Sequence, residues 1–587
     1  MTELISQSHK AATFADVLVI GGGMAGAFAA LAAKFSDNTV VLVEPFNVLG
    51  GQGTAGGVTG FCGDAKRVND SFDKLVARLA RYDLIDEYDP VSGRMAYHLE
   101  YCAYFLQEML TERGVQVFLH SHADEVQCRD GLVEQVRVST PSETLVFRPS
   151  TIIDATGSCV VAHRAGFETF HEPADKQLPL SLVFTLWDTG RMVQPFLPDH
   201  CPRWESDDEL PMTSVHEFDS GKVEVKMKVT GFDAADGASL SQAEFVARRQ
   251  MMGLIYYLQT RGYRGKRYDT HELACVSRTI GIREQRRIVG EYVLTDHDCT
   301  HSMVFDDAIA VGTYHFDYHW PDRPQRDGTG INTPVEPYHI PARCLIPRGA
   351  KNLLVAGRGA SGEQLAMSSY RVMTTCVQMG TAAGKIARHA AQTACDVKEV
   401  PIPSIQRELI AENQSLDLSD YGESLRQDLV IREHIFGDDR PFASCHASTL
   451  VQLTNNRFLV AWFGGSAEGK TDVGIWMADR FCSRWSAPRQ IAKTPGQINW
   501  NPVLFRTQDG TVHLFYKGGK VAEQWQTWTC ASEDDGKTWS KPRLLVEGDC
   551  GGRGPVKNKP IILSDGTWLA AASIESDERW DAFVDRS

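Results

Sequence analysis

Three things are missing from this chain of 587 residues, and each absence removes a class of protein. The 14 cysteines include no C-x-x-C pair. That excludes a zinc knuckle and a dithiol redox motif, and leaves thiols expected to be buried in a reducing compartment. No dense basic stripe occurs, and 60 Lys plus Arg against 75 Asp plus Glu give a formal charge of −15. The sign is wrong for a protein that works by neutralising nucleic-acid phosphates. No apolar run approaches the roughly 20 residues that cross a bilayer, and the polar stretch Met1 to Ala15 lacks the apolar centre of a signal peptide. A cytoplasmic protein with no membrane or nucleic-acid partner is expected. What is present is ordinary globular material, 43% hydrophobic and 23% charged. It suffices for several cores, and length alone suggests about four packing units.

The first forty-five residues are the most informative. Asp16-Val-Leu-Val-Ile20 is a short apolar run with the composition of a strand buried on both faces. It leads directly into Gly21-Gly-Gly23-Met24-Ala25-Gly26, then an alanine-rich helical segment to Lys34 and a second apolar run, Thr39 to Val43, that ends in Glu44. Gly21 permits the tight turn, Gly23 lets backbone approach a pyrophosphate, and Gly26 lets the helix pack closely on the strand. The helix start offers unpaired N–H groups and a positive partial charge to the phosphates. Glu44 is placed to accept from ribose hydroxyls and to repel a 2′-phosphate. The same glycine spacing recurs twice. Gly51-Gln-Gly53-Thr54-Ala-Gly56 follows a loop, and Gly357-Arg358-Gly359-Ala-Ser-Gly362 follows a strand, Asn352 to Ala356, but precedes a long amphipathic stretch. One dinucleotide site is supported.

Four further segments account for the other glycines: Gly50–Gly57, Thr151-Ile-Ile-Asp-Ala155-Thr156-Gly157, Arg278–Gly290, and Asn352–Arg358 continuing to Arg371-Val372-Met373. In this order and spacing, the chain from about Ala15 to about Leu416 resembles the FAD-dependent oxidoreductases distantly akin to fumarate reductase. The resemblance implies FAD laid across a glutathione-reductase-like, Rossmann-type α/β domain. By it, Gly21, Gly23, Met24, Ala25, Gly26 and Glu44 hold the ADP half, and Val126 also contacts the cofactor. Gly51, Thr54, Gly56 and Gly57 pass near the ribityl chain and ring, Ala155 to Gly157 lie in the returning strand, and Gly357 and Arg358 close the pocket. The helix after Arg371 and Val372 points its N-terminus at the pyrimidine end of the flavin, where its dipole would stabilise negative charge. Such proteins often carry an Asp after Ala-Thr-Gly. Ser158 and Cys159 stand here instead, so a polar contact is expected to be rearranged, and Cys159 reads as a small buried hydrophobe.

No second complete dinucleotide unit exists, so electrons are expected to pass between flavin and a small-molecule substrate held by an inserted α+β cap. The divisions read as 1–166 and 335–416 for the flavin domain, 167–334 for the cap, 417–430 for a linker and 431–587 for a further domain. If Thr313 to His319 is extended, His315, Asp317 and His319 share one face. A His–carboxylate pair there would remove a proton while hydride leaves for flavin N5; a satisfied buried network or an incomplete metal site are the alternatives, and no metal is assigned. Arg278, Arg283, Glu284, Arg286 and Arg287 have helical spacing, either as a solvated helix face or, with Arg283, as a clamp for a substrate carboxylate or phosphate. Tyr97 and His98, before a helix at Leu99 to Glu112, are further candidates near the pocket.

After Leu416 the character changes to short β-type runs: Thr449–Leu453, Phe458–Trp462, Val473–Met477, Val503–Phe505, Val512–Tyr516, Thr527–Cys530, Ile561–Leu563 and Trp568–Ala572. Ser532-Glu-Asp-Asp-Gly-Lys-Thr-Trp539 fits S-x-D-x-G-x-T-W, the Asp-box of sialidase-type propellers, and Met477–Trp485 resembles a decayed copy. The resemblance, from about His434 to Ser587, implies a propeller of which about three blades are present, truncated or catalytically inert, and a glycan as a possible ligand. The family's first substrate-reading arginine is replaced by Cys445-His446-Ala447, so sialic acid is not supported. Glu468 and Asp472 are the candidates for its acid. The leading expectation is an FAD-dependent oxidoreductase acting on a small organic molecule, a sugar or a carboxylate-bearing metabolite. A glycoside hydrolase or glycan-binding protein with an appended flavin domain, or an artefactual join of two genes, are the alternatives. Oligomeric state is not legible.

Overall fold

The structure, a computed structural model, describes residues 12–89, 94–217, 221–322, 330–331, 333–421, 434–453, 458–481, 484–549, 551–576 and 580–587. It divides into two compact units, Met1–Leu429 and Val430–Ser587.

The first unit is built around a seven-stranded sheet. β1 (Thr13–Ile20) pairs in parallel with β2 (Val40–Val43), Val17 beside Val40, and on its other side with Thr144–Asp154, Val17 beside Thr151. Gln116–Phe118 extends the sheet beyond β2, and Leu353–Val355 lies parallel to Ile152–Asp154. The first part of the strand Thr144–Asp154 also pairs antiparallel with Leu132–Ser139, which pairs with His122–Arg129. Alternate residues serve two cores. Val17, Val19, Val40 and Leu42 pack with the helices, whereas Leu18, Ile20, Val41 and Val43 pack with Val136, Val138 and Phe147. Burial on both faces is why these strands read as unbroken apolar runs.

α1 (Met24–Ala33) begins at the glycine turn and crosses the long helix Met373–Thr393 at close range. A Cβ on Gly380 would lie 2.1 Å from the Ala25 carbonyl oxygen, and one on Gly384 2.2 Å from that of Ala29, so this approach requires glycine.

The intervening segment forms a four-stranded antiparallel sheet in the order Ser214–Glu217, Lys222–Val229, Leu180–Asp188, His271–Val276. Leu180, Leu182, Phe184 and Leu186, with Val223, Val225, Met227 and Val229, pack against the helix Gly237–Thr260. Ser181, Val183, Lys226 and Lys228 therefore point to the other face. The helical spacing of the arginine run is not realised. Gly281 and Ser181 exchange main-chain hydrogen bonds of 2.6 and 2.9 Å, which draws the chain out along the sheet, and Arg287–Ile288 pairs with Thr169–Phe170 as a short strand.

The polar stretch read as a linker begins as part of the first unit. Tyr421 is buried, and its hydroxyl donates to the carbonyls of Ser415 (2.8 Å) and Arg67 (3.2 Å). Residues 422–433 lie outside the described residues.

The second unit is all-β, with antiparallel sheets of five, four and three strands. All eight expected β runs fall in or overlap these strands. In the Asp-box, Asp534 accepts from the Thr538 amide (2.9 Å), the Thr538 hydroxyl (2.6 Å) and the Ser532 hydroxyl (2.8 Å), and Trp539 packs on the core.

Candidate active site

A crevice of about 450 Å³ runs along the ends of β1 and β2. Gly21, Gly23, Met24, Ala25, Glu44, Gly51, Ala155, Thr156, Gly157, Gly357, Arg358 and Arg371 all line it. Gly21 has φ +101°, and a Cβ there would lie 2.5 Å from the Ala155 carbonyl oxygen; a Cβ on Gly26 would lie 1.8 Å from that of Gly21. Gly26 is thus a packing residue beneath the turn. The turn at Gly51 is held to it by a hydrogen bond from the Gly50 amide to the Gly22 carbonyl (2.8 Å).

Glu44 is buried, and its two oxygens accept from the Gly22 amide (2.5 Å) and the Phe46 amide (2.9 Å). Burial raises its pKa, and the two amides oppose that rise. Each oxygen keeps a lone pair for a hydroxyl in the crevice. Arg358 donates to the Gly157 carbonyl (2.8 Å) and to Gln285 (3.2 Å), and burial brings its pKa to about 10.

The remaining expected residues take other places. Thr54 is buried and donates to the Leu49 carbonyl (2.5 Å), which fixes the turn. Gly57 packs under Ser277 and Val183, and Gly56 and Val372 line an adjoining cavity. Val126 is absent from the crevice wall. It sits mid-strand in His122–Arg129 and packs on the sheet core, and Ser121, His122, Ala123 and Asp124, at the strand's start, line the crevice instead. Cys159 is fully buried, with its thiol directed at the carbonyls of Arg286 (3.2 Å) and Gly359 (3.4 Å). The carboxylate here is Asp154, at the strand end, which accepts from the amides of Val161 (2.8 Å) and Ala162 (3.0 Å).

The adjoining cavity, about 430 Å³, shares Gln52, Ile282, Arg358, Arg371 and Met373 with the crevice. The polar face of the inserted sheet forms one wall, through Ser181, Val183, Lys226 and Lys228. Opposite them, Asp317 accepts from Arg371 (2.5 Å) and from His319 Nε2 (2.8 Å), and the Arg371 guanidinium also donates to the Asp317 carbonyl (2.9 Å). His319 Nδ1 meets the Lys228 ammonium nitrogen. Arg283 donates to the Pro179 carbonyl (2.8 Å) and to the Ser181 hydroxyl.

Electrostatics follow from this crowding. Burial would raise the Asp317 carboxyl, but Arg371, His319 and Arg283 hold it well below its ordinary value. Burial and then Arg283 lower His319 to about 3 and Lys228 to about 5. Lys226 is lowered by the same two causes.

Of the expected trio, only Asp317 and His319 come together. The chain bends at Tyr314, only Tyr318–His319 of this stretch is a strand, and His315 lies against Tyr314 with the rings tilted by 35° and their centroids 4.0 Å apart, outside the cavity wall. Tyr97 is buried below the turn, its hydroxyl donating to the carbonyls of Gly53 (2.8 Å) and Val58 (3.0 Å), and His98 is exposed at the helix start. Sequence reading passed over Lys226 and Lys228. The alternation Lys222-Val-Glu-Val-Lys-Met-Lys-Val229 was the available signal, a strand with one apolar and one charged face. Among the described residues, no group of three His, Cys, Asp or Glu is arranged for a metal, and no helix is long and apolar enough to cross a membrane.

In the second unit, Glu468 and Asp472 stand on the exposed loop between Phe458–Gly465 and Gly474–Phe481. Asp472 accepts from the amide (2.8 Å) and the hydroxyl (2.9 Å) of Ser466, closing that loop.

Residues 16–409 match the model of the FAD dependent oxidoreductase family, and residues 456–587 that of the BNR repeat-like domain. No curated protein matches the chain. Solved structures that it resembles include a geranylgeranyl bacteriochlorophyll reductase-like protein of Thermoplasma acidophilum, 14% identical, over 68% of this chain and 84% of that one with a TM-score of 0.40. Another is p-nitrophenol 4-monooxygenase of Pseudomonas putida, 13% identical, over 69% and 90% with a TM-score of 0.37. A flavoprotein/dehydrogenase of Cytophaga hutchinsonii is 12% identical, over 68% and 86% with a TM-score of 0.36.

Proposed function

The chain belongs to the FAD dependent oxidoreductase family, and from that premise we propose that it transfers hydride between FAD and a small anionic organic substrate, a sugar acid or another carboxylate-bearing metabolite. The crevice suits the cofactor in shape and chemistry. Main-chain amides at the start of α1 would meet the phosphates, Glu44 the ribose hydroxyls, and the N-terminal end of Met373–Thr393 the ring. Bound there, FAD supplies a two-electron acceptor.

The observation that carries the reading is the shared wall. The cavity opens on the crevice through Gln52, Ile282, Arg358, Arg371 and Met373, so a molecule in it would lie against the flavin. Its charges favour an anion: Arg283, Arg371, Arg358 and Lys226 outnumber the carboxylate of Asp317. Among the described residues, Lys226 makes no hydrogen bond or ion pair, which leaves it open to a substrate carboxylate. The test is to denature purified protein, identify the released cofactor, and screen sugars, sugar acids and hydroxy acids for bleaching of the flavin absorbance. Bleaching by acids but not by their neutral counterparts is expected. A spectrum unchanged by any of them would reject the assignment.

A further inference from the structure

The charged face of the inserted sheet holds a group that the hydride-transfer reading does not use. Lys228 is 6% exposed, faces the cavity, and among the described residues has no carboxylate partner. Its amine meets His319 Nδ1 and the Met212 sulfur, the latter at 3.2 Å. The hydrogen bonds fix the direction of this chain. Asp317, ionised beside Arg371, can only accept, so His319 carries its proton on Nε2 and presents a lone pair on Nδ1 to Lys228. The charged and titratable groups around the amine come from four segments: Lys226 on its own strand, Arg283 beside the neighbouring strand, Arg371 before the long helix, and Asp317 with His319 opposite. Three cations against one carboxylate favour an unprotonated amine, in line with its lowered pKa.

Resting on the hydride-transfer reading, we propose that Lys228 is the proton acceptor of the reaction, and that the substrate is an alcohol whose hydroxyl meets this amine. The hydroxyl proton passes to Lys228, which becomes an ammonium. The hydrogen on the same carbon leaves with its electron pair for the flavin, and the C–O bond becomes C=O. His319 and Asp317 act as positioning residues. Through Nδ1 they accept a hydrogen bond from the ammonium, which stabilises the charge Lys228 gains. An amine that is neutral near pH 7 suits a base better than an ordinary lysine, which is fully protonated there.

The test has two arms. The first treats the purified protein with potassium cyanate, because isocyanic acid is small and carbamylates only unprotonated amines. Peptide mass spectrometry then follows each lysine from about pH 6 to about pH 9. Lys228 is expected to react at a rate that falls about tenfold per unit, as isocyanic acid ionises to cyanate, while surface lysines, whose growing free-amine fraction offsets that loss, react at a rate nearly independent of pH. A Lys228 rate as flat with pH as that of the others, or a Lys228 that the reagent never reaches, overturns the proposal. The second arm compares Lys228→Ala with the parent on a substrate that bleaches the flavin. The variant is expected to keep its flavin, to be reduced at least about 100-fold more slowly, and to recover when ethylamine is added. Unslowed reduction, or a loss that ethylamine does not restore, counts against it. If the purified protein holds no FAD, the functional reading fails on its own, and the cyanate arm still decides whether Lys228 is a neutral amine open to the cavity.

Discussion

The crevice and the cavity touch through five residues, yet they are made of different material. In the crevice, glycines bring one backbone against another, as at Gly21, Gly26 and Gly51. The cavity is side chain, with Lys226, Lys228, Arg283, Asp317, His319 and Arg371 drawn from separate stretches of the sequence. On the proposed reading the first would hold its ligand through backbone amides, which never change charge. The second holds groups whose protonation depends on one another, so it suits proton movement and recognition of charge.

Breaking the crevice should have the largest effect. Gly26→Val places side-chain atoms where a Cβ alone would be 1.8 Å from the Gly21 carbonyl oxygen, so the turn cannot keep its shape. The expected result is protein with no flavin absorbance, and a variant that retained stoichiometric FAD would show that the turn is not the binding element. The cavity should respond in a graded way. Arg371→Met removes the principal partner of Asp317, whose carboxyl is held well below its ordinary value. Because that pKa is depressed in the folded state, the stabilisation is present above the ordinary carboxylate pKa of about 4 and is lost as pH falls below it. Urea unfolding should show a deficit of about 2–3 kcal/mol at neutral pH that narrows on acidification; a deficit constant with pH would remove the ion pair as its cause.

The smallest change sharpens the contrast by its sign. Lys228 has a folded pKa of about 5, far below that of an unfolded lysine, so between those values the unfolded chain binds a proton that the folded one does not. Stability then rises with pH across that window, by at most about 1.4 kcal/mol per unit. Lys228→Met should stabilise the protein at pH 7 by roughly 1 kcal/mol and flatten this slope. A less stable variant with the slope intact would mean that the lysine is charged in place.

The same contrast explains what could be read from the sequence. Gly21, Gly23, Glu44, Gly51, Gly157, Gly357 and Arg358 belong to short contiguous patterns, because a turn is specified by residues next to one another, and all of them line the crevice. Val126 lies off the crevice wall, because the wall at that end is set by where the strand His122–Arg129 starts, which glycine spacing does not encode. The cavity was only partly legible. Asp317 and His319 are two apart and could be paired on sight, but the bend at Tyr314 that turns His315 away has no local signature, and Lys228 reaches His319 across 91 positions of chain. The arginine run misled because its spacing fits a helix, while pairing of Gly281 with Ser181 fixes it as an extended edge.

The backbone contact of Gly380 and Gly384 with α1 has a mechanical result. Two helices that meet without intervening side chains can neither slide nor separate without losing that fit, so one stiff frame carries both the glycine turn at the start of α1 and the N-terminal end of Met373–Thr393. On the proposed placement of FAD the frame would work as a gauge of fixed span: it would select a ligand long enough to reach both ends, and FMN, which lacks the adenylate half, would leave one end of it unused.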